Sequence, residues 1–145
     1  MTFGIEHFGG TYDKYTKPLK TLQKKAIRIV YNLDYNESTK VICRKNKILY
    51  FDDEHILSCL QMAKTFTDSA SPDNIRKIHD LESDKGTRTG VKNNLKIDKF
   101  KMSSSMKNSP YLIPYLWNNL HQTAQDLNTK SLTTFIKTQL TAMYA

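Results

Sequence analysis

Apolar residues recur at helical spacing through the first half of the chain. Between residues 16 and 33 they fall at Leu19, Leu22, Ala26, Ile29, Val30 and Leu33, one face of a helix at 3.6 residues per turn. The pattern predicts that this face is buried. Thr16 or Thr11 is the expected cap, and Pro18 would then lie early in the helix, where a missing N–H is tolerated. A short helix is expected from a Ser38 cap through Val41, Ile42 and Lys45, ending before Ile48. Another should begin after Asp52 or Asp53 and bury Ile56, Leu57, Leu60, Ala63 and Phe66. Its first turn carries Asp52, Asp53 and Glu54, which suit the positive end of the helix dipole. Ser71-Pro72 then opens a shorter segment with Ile75, Ile78 and Leu81 at three-residue steps.

The pattern breaks over residues 82–109. That stretch is polar and basic, interrupted by Gly86 and Gly90, and its alternation at Leu95, Ile97 and Phe100 supports a short strand at most. Order resumes at Ser109-Pro110, where Tyr111, Leu112, Tyr115, Leu116 and Leu120 imply a helix despite Pro114. A last helix is expected from a Ser131 cap, burying Leu132, Phe135, Ile136, Leu140 and Tyr144. The fold class is therefore mainly α: five to six amphipathic helices with a long basic irregular connection. The expected layout is a helical part at 1–81, a basic loop at 82–109 and a second helical part at 110–145, all within one domain.

Composition narrows the function classes. The 145 residues are 39% hydrophobic and include 15 aromatics, enough for a core and too many for wholesale disorder. Two cysteines without a CxxC spacing exclude a disulfide scaffold. No apolar run nears the roughly 18 residues of a membrane span, and the start lacks the pattern of a signal peptide. An intracellular chain with no membrane role is expected. Its net charge of +8 is unevenly placed. Residues 1–51 hold ten Lys/Arg against four acids, residues 52–84 three against eight, and residues 85–145 nine against two. Two basic blocks flanking an acidic one fit contact with a polyanion.

Chemistry-bearing motifs are few. Tyr50-Phe51-Asp52-Asp53 has the letters of the metal-binding turn of reverse transcriptases, where paired aspartates hold Mg²⁺. That turn needs apolar strands on both sides and a third carboxylate upstream. Here a helical stripe follows, and Glu6, Asp13, Asp34 and Glu37 all lie outside strand-like settings. Helix-capping acids account for the pair. His55 and Cys59, four apart on a helix, could face one metal, but Cys43, His7, His79 and His121 do not complete a recognisable ligand spacing. A core cysteine beside a surface histidine is the expectation, with no metal. Nucleophile elbows and glycine-rich phosphate loops are absent, and Gly9-Gly10 reads as a turn. The chain carries no expected catalytic residue.

The strongest functional feature is cationic. Lys17, Lys20, Lys24, Lys25 and Arg28 wind onto the face opposite the apolar stripe, with no acid between Lys17 and Arg28. Such a face can neutralise phosphates without disturbing a core. Seven further Lys/Arg between Lys85 and Lys107, Arg88 and Lys92 among them, could lie along a phosphate backbone.

The order of phrases along the chain resembles a known family. Phe3-Gly4-Ile5-Glu6, Phe8-Gly9-Gly10-Thr11 and Leu19 through Ile29 (LKTLQKKAIRI) look like the "YGIEVWG" and "LQKKAIRII" phrases that follow the polymerase core in reverse transcriptases of non-LTR retrotransposons, jockey-like elements in particular. Lys47 through Asp53 resembles that family's "LNILKLDDL" helix start. Thr87-Arg88 resembles the end of its "HxYxTR" phrase, Leu116 through Leu120 its "LWNSLP", and Ser131-Leu132 with Phe135-Ile136-Lys137 its "SLxxFKxxL". Ser83, Lys85 and His121 depart from the family's His, Tyr and Pro, and Phe3 and Phe8 stand where Tyr and Trp are usual, as in a diverged copy. Met1 falls within the first phrase. The resemblance implies a non-catalytic, thumb-adjacent C-terminal fragment whose polymerase core lies upstream. It would carry no cofactor, Mg²⁺ belonging to the intact parent. Its implied partners are RNA or an RNA/DNA duplex, held through phosphates, and the missing polymerase core. The alternative is a stand-alone helical protein-interaction module, its first helix's apolar stripe exposed where it once packed on that core.

Overall fold

The computed structural model describes residues 4–68, 94–97 and 107–144. Seven helices run through them: α1 (Ile5–Phe8), α2 (Asp13–Val30), α3 (Thr39–Asn46), α4 (Phe51–Thr67), α5 (Ser109–Asn118), α6 (Gln122–Gln125) and α7 (Thr129–Ala142). No strand forms among the described residues, so the mainly α class holds. Helix α4 is central and packs on α5, α7, α1 and α2. Leu57, Leu60, Ala63 and Phe66 of α4 meet Ile113 and Trp117 of α5, Ala124 of α6, and Leu132 and Ile136 of α7 in one apolar cluster. The expected stripe of α4 is thus the one the core uses, with Ile56 half-buried at its margin.

Local chemistry sets the helix ends. Ser38 caps α3 as expected, its side chain accepting from the Lys40 N–H at 3.3 Å. Both α2 and α3 finish by turning into left-handed backbone, at Asn32 (φ 49°) and Lys47 (φ 52°). There the Leu33 N–H donates to the Arg28 carbonyl and the Ile48 N–H to the Cys43 carbonyl, both at 2.9 Å, satisfying carbonyls that the last turn leaves open.

Several expected ends move. Helix α2 starts at Asp13, behind Tyr12, with no side-chain cap, so neither Thr11 nor Thr16 plays that part. Thr11 instead donates to the Phe8 carbonyl at 2.8 Å and closes the turn out of α1, while Thr16 is buried. Pro18 consequently lies inside the helix, on an exposed stretch. Helix α7 is capped by Asn128, whose Oδ1 accepts from the Ser131 N–H at 2.8 Å, three residues ahead of the expected serine cap. Helix α4 has Tyr50 at its N-cap and no side-chain cap bond, so Asp52 and Asp53 sit in its first turn without capping it.

Two elements were hidden from periodicity because each is a single turn. Helix α1 lies against α4, with Gly9 so close to His55 that a Cβ there would collide with the ring. Helix α6 is capped by His121, whose Nδ1 accepts from the Thr123 N–H at 3.4 Å and lies 2.8 Å from the Thr123 hydroxyl. In α5 the buried side is Ile113, Pro114 and Trp117 rather than the Tyr111–Tyr115 edge, and Tyr115 is exposed. In α7, Leu132 and Ile136 are buried, Leu140 packs at the edge of the core, and Phe135 is exposed. The segment with Ile75, Ile78 and Leu81 lies outside the described residues, as does most of the 82–109 connection. Where that connection is described, it enters the core. Leu95 is buried, and the Asn118 amide grips its backbone, accepting from its N–H at 2.9 Å and donating to its carbonyl at 2.7 Å.

Candidate nucleic-acid interface

Helix α2 carries the candidate site, and the way it packs differs from the periodic expectation. Its inward edge is Thr16, Gln23 and Ile27, with Leu19 and Lys20 half-buried. Wound at about 100° per residue, that edge lies between the apolar stripe and the cationic face, so both of these face outward. Leu22 is 54% exposed, Ile29 80% and Val30 74%. Most of the stripe expected to be buried is therefore solvent-facing, with Leu19 and Leu33 half-buried. Gln23 is tolerated on this inward edge because its amide is paired. Gln23 donates through Nε2 to the Leu49 carbonyl and accepts at Oε1 from the Phe51 N–H, both at 2.9 Å, clamping the α3–α4 connection to α2.

The five cations read from the sequence share α2 but not one environment. Lys17, Lys24 and Lys25 are exposed. Lys24 has its Nζ 6.0 Å from the centre of the Tyr50 ring. Lys20 turns inward and is neutralised: its Nζ lies 2.8 Å from an Asp52 oxygen and 3.6 Å from an Asp13 oxygen. The Asp52 hydrogen bond is the main cause holding the Lys20 ammonium above its ordinary range. Arg28 is partly engaged, with a terminal nitrogen 3.5 Å from the Glu37 carbonyl and its guanidinium 5.9 Å from the centre of the Tyr35 ring. Its Nε is buried and has no hydrogen-bond partner among the described residues. Arg88 and Lys92 lie outside the described residues.

A groove of about 490 Å³ runs beside these cations. Lys20, Lys24, Arg28 and Lys40 line it together with Asp52, Asp53, Tyr50 and Tyr144. Lys40 was not singled out from the sequence; the signal that could have found it is its place in the first turn of a Ser-capped helix facing α2. The aspartates are structural here. Asp53 accepts from the Tyr144 hydroxyl at 2.5 Å, and the same hydroxyl accepts from the Tyr50 N–H at 3.0 Å, tying the end of the chain to the start of α4. Burial, then the Asp53 carboxylate, pushes the Tyr144 phenol well above its ordinary range. The Tyr50-Phe51-Asp52-Asp53 run thus opens a helix rather than a hairpin turn.

His55 and Cys59 also differ in part from expectation. Cys59 is buried, and burial is the main cause pushing its thiol up to about 12. His55 is buried as well, not a surface group. Among the described residues no cluster of three or more His, Cys, Asp or Glu side chains is placed to hold a metal. No helix among them is long and apolar enough to cross a membrane. Compared with family models, curated proteins and solved structures, the chain matches none.

Proposed function

We propose that this chain binds nucleic acid through its phosphates, as a non-catalytic C-terminal part of a non-LTR retrotransposon reverse transcriptase. The observation that carries the binding reading is the exposed group Lys17, Lys24 and Lys25 on one side of α2, with Lys40 and Arg28 lining the adjoining groove. The helix from Lys17 to Arg28 spans about 16 Å, over which a duplex presents on the order of ten phosphate charges. Contacts of this kind position a template or primer without reading bases, so RNA and RNA/DNA duplexes are equivalent ligands. The assignment to a retroelement parent rests on the LQKKAIR and LWNNL phrases and their order. No catalytic residue and no cofactor are assigned to the chain, Mg²⁺ belonging to the parent's polymerase core.

Fluorescence anisotropy with an RNA hairpin and an RNA/DNA duplex, across a salt series, tests the binding. The triple variant Lys17→Glu, Lys24→Glu, Lys25→Glu should bind at least about tenfold more weakly, and its log–log salt slope should shrink by roughly two to three. An unchanged affinity and slope would reject the interface.

A further inference from the structure

Phosphate binding uses one outward face of α2, and the opposite face is unassigned. Tyr15, Leu22, Ala26, Ile29 and Val30 follow one another along it at helical spacing. From Tyr15 to Val30 this strip is about 22 Å long, roughly four helical turns. Tyr15 is 67% exposed, so the apolar character extends to both ends of the strip. At its inner edge Leu19 also lines an apolar cavity of about 320 Å³, with Phe8, Ile48 and Phe51 among the other walls. At its outer edge, by the helical winding, stand Lys14 and Lys25, the latter at the border with the phosphate-binding face.

A continuous apolar strip on a folded surface marks an interaction site, and four turns suit one partner helix laid alongside. The lysine edge favours an acidic partner over an antiparallel second copy. A second copy in antiparallel two-fold pairing would set the two lysine edges side by side, and like charges across an interface oppose association. A helix with acids on one flank meets the same edge favourably. We infer that this face docks an amphipathic helix of a protein partner, apolar along one side and acidic along the flank that meets Lys14 and Lys25.

Two synthetic helical peptides with the same leucine-rich face, one flanked by Glu and one by Lys, serve as probes against the full chain. Anisotropy should show the Glu-flanked peptide binding at least about tenfold more tightly than the Lys-flanked one. The double variant Leu22→Glu, Ile29→Glu should lose at least about tenfold of that binding with its circular dichroism unchanged, since both side chains are exposed. A milder pair, Leu22→Gln and Ile29→Gln, gives the same reading without added charge. Equal binding of the two peptides, binding of neither, or full binding by the variants overturns the inference. So does sedimentation as a dimer that Leu22→Glu, Ile29→Glu disperses, because the face then belongs to a second copy.

Discussion

The imidazole of His55 is buried between α4 and the α1 turn, and its Nε2 has no hydrogen-bond partner among the described residues. Burial is the main cause holding it below the ordinary histidine range, outweighing a hydrogen bond that the imidazole donates to the Glu6 backbone and the nearby Asp52 and Glu6 carboxylates. The unfolded chain therefore takes up a proton near pH 6.5 that the folded chain resists. Stability from this group is fully present above about pH 6.5 and declines as pH falls, until the depressed folded value is reached. Thermal midpoints at pH 7.5 and pH 5 should show that decline in the native chain and a smaller one in His55→Gln. Parallel declines would place the acid sensitivity elsewhere. The sequence placed this histidine at the surface for a physical reason. What covers it is a single helical turn and a glycine whose missing Cβ permits the approach, and neither leaves a periodic trace.

At the scale of elements, helices were legible wherever an apolar stripe was also the core contact. In α4 the two coincide, because Leu57, Leu60, Ala63 and Phe66 face α5, α6 and α7. In α2 they do not. The period of the stripe is a property of the helix, whereas the side it turns inward depends on partners, and here Gln23 and Thr16 are the packed residues. Segment ends were less legible still, since Tyr12 and Tyr50 begin helices without a side-chain cap that could signal them. The end of α3 offers a direct check on the energetics. Lys47 holds φ 52°, a conformation that costs a side-chain-bearing residue roughly 1 kcal/mol and glycine little. The hydrogen bond from the Ile48 N–H to the Cys43 carbonyl requires that turn, so glycine preserves it. Lys47→Gly should therefore stabilise the chain by about 0.5–1 kcal/mol in urea unfolding, despite the added freedom of the unfolded backbone. A loss of stability would mean the Lys47 side chain contributes more than its strain costs.

Across the whole molecule, the phrases that suggested a family turn out to hold the fold together. Trp117 of the LWNNL run is fully buried, Asn118 clamps Leu95, and Gln125 donates to the Trp117 carbonyl at 2.7 Å. Gln23 of the LQKKAIR run clamps the α3–α4 connection. Those residues explain a fold, and Lys24 and Lys25 beside Gln23 are exposed at the surface. The cationic cluster was readable from winding alone, but not the diversion of Lys20 into Asp52 and Asp13, because Asp52 reaches it from a different helix. Among the described residues helix α2 packs inward along the edge between its two outward faces, so Lys17 and Lys24 on one face should act independently of Leu22 and Ile29 on the other, with Lys25 between them. Leu22→Glu, Ile29→Glu should weaken RNA binding less than Lys17→Glu, Lys24→Glu does, since the added acids point away from Lys17 and Lys24 and adjoin Lys25, three residues from Leu22 and four from Ile29. Lys17→Glu, Lys24→Glu should weaken RNA while leaving the Glu-flanked peptide within about threefold, since Lys14 and Lys25 remain to meet it. A crossed result, with either variant damaging both ligands by tenfold or more, would mean one shared polyanion surface, and the peptide's acids would then be imitating phosphates. Separate losses would make α2 a bridge, holding nucleic acid on one side and a protein helix on the other.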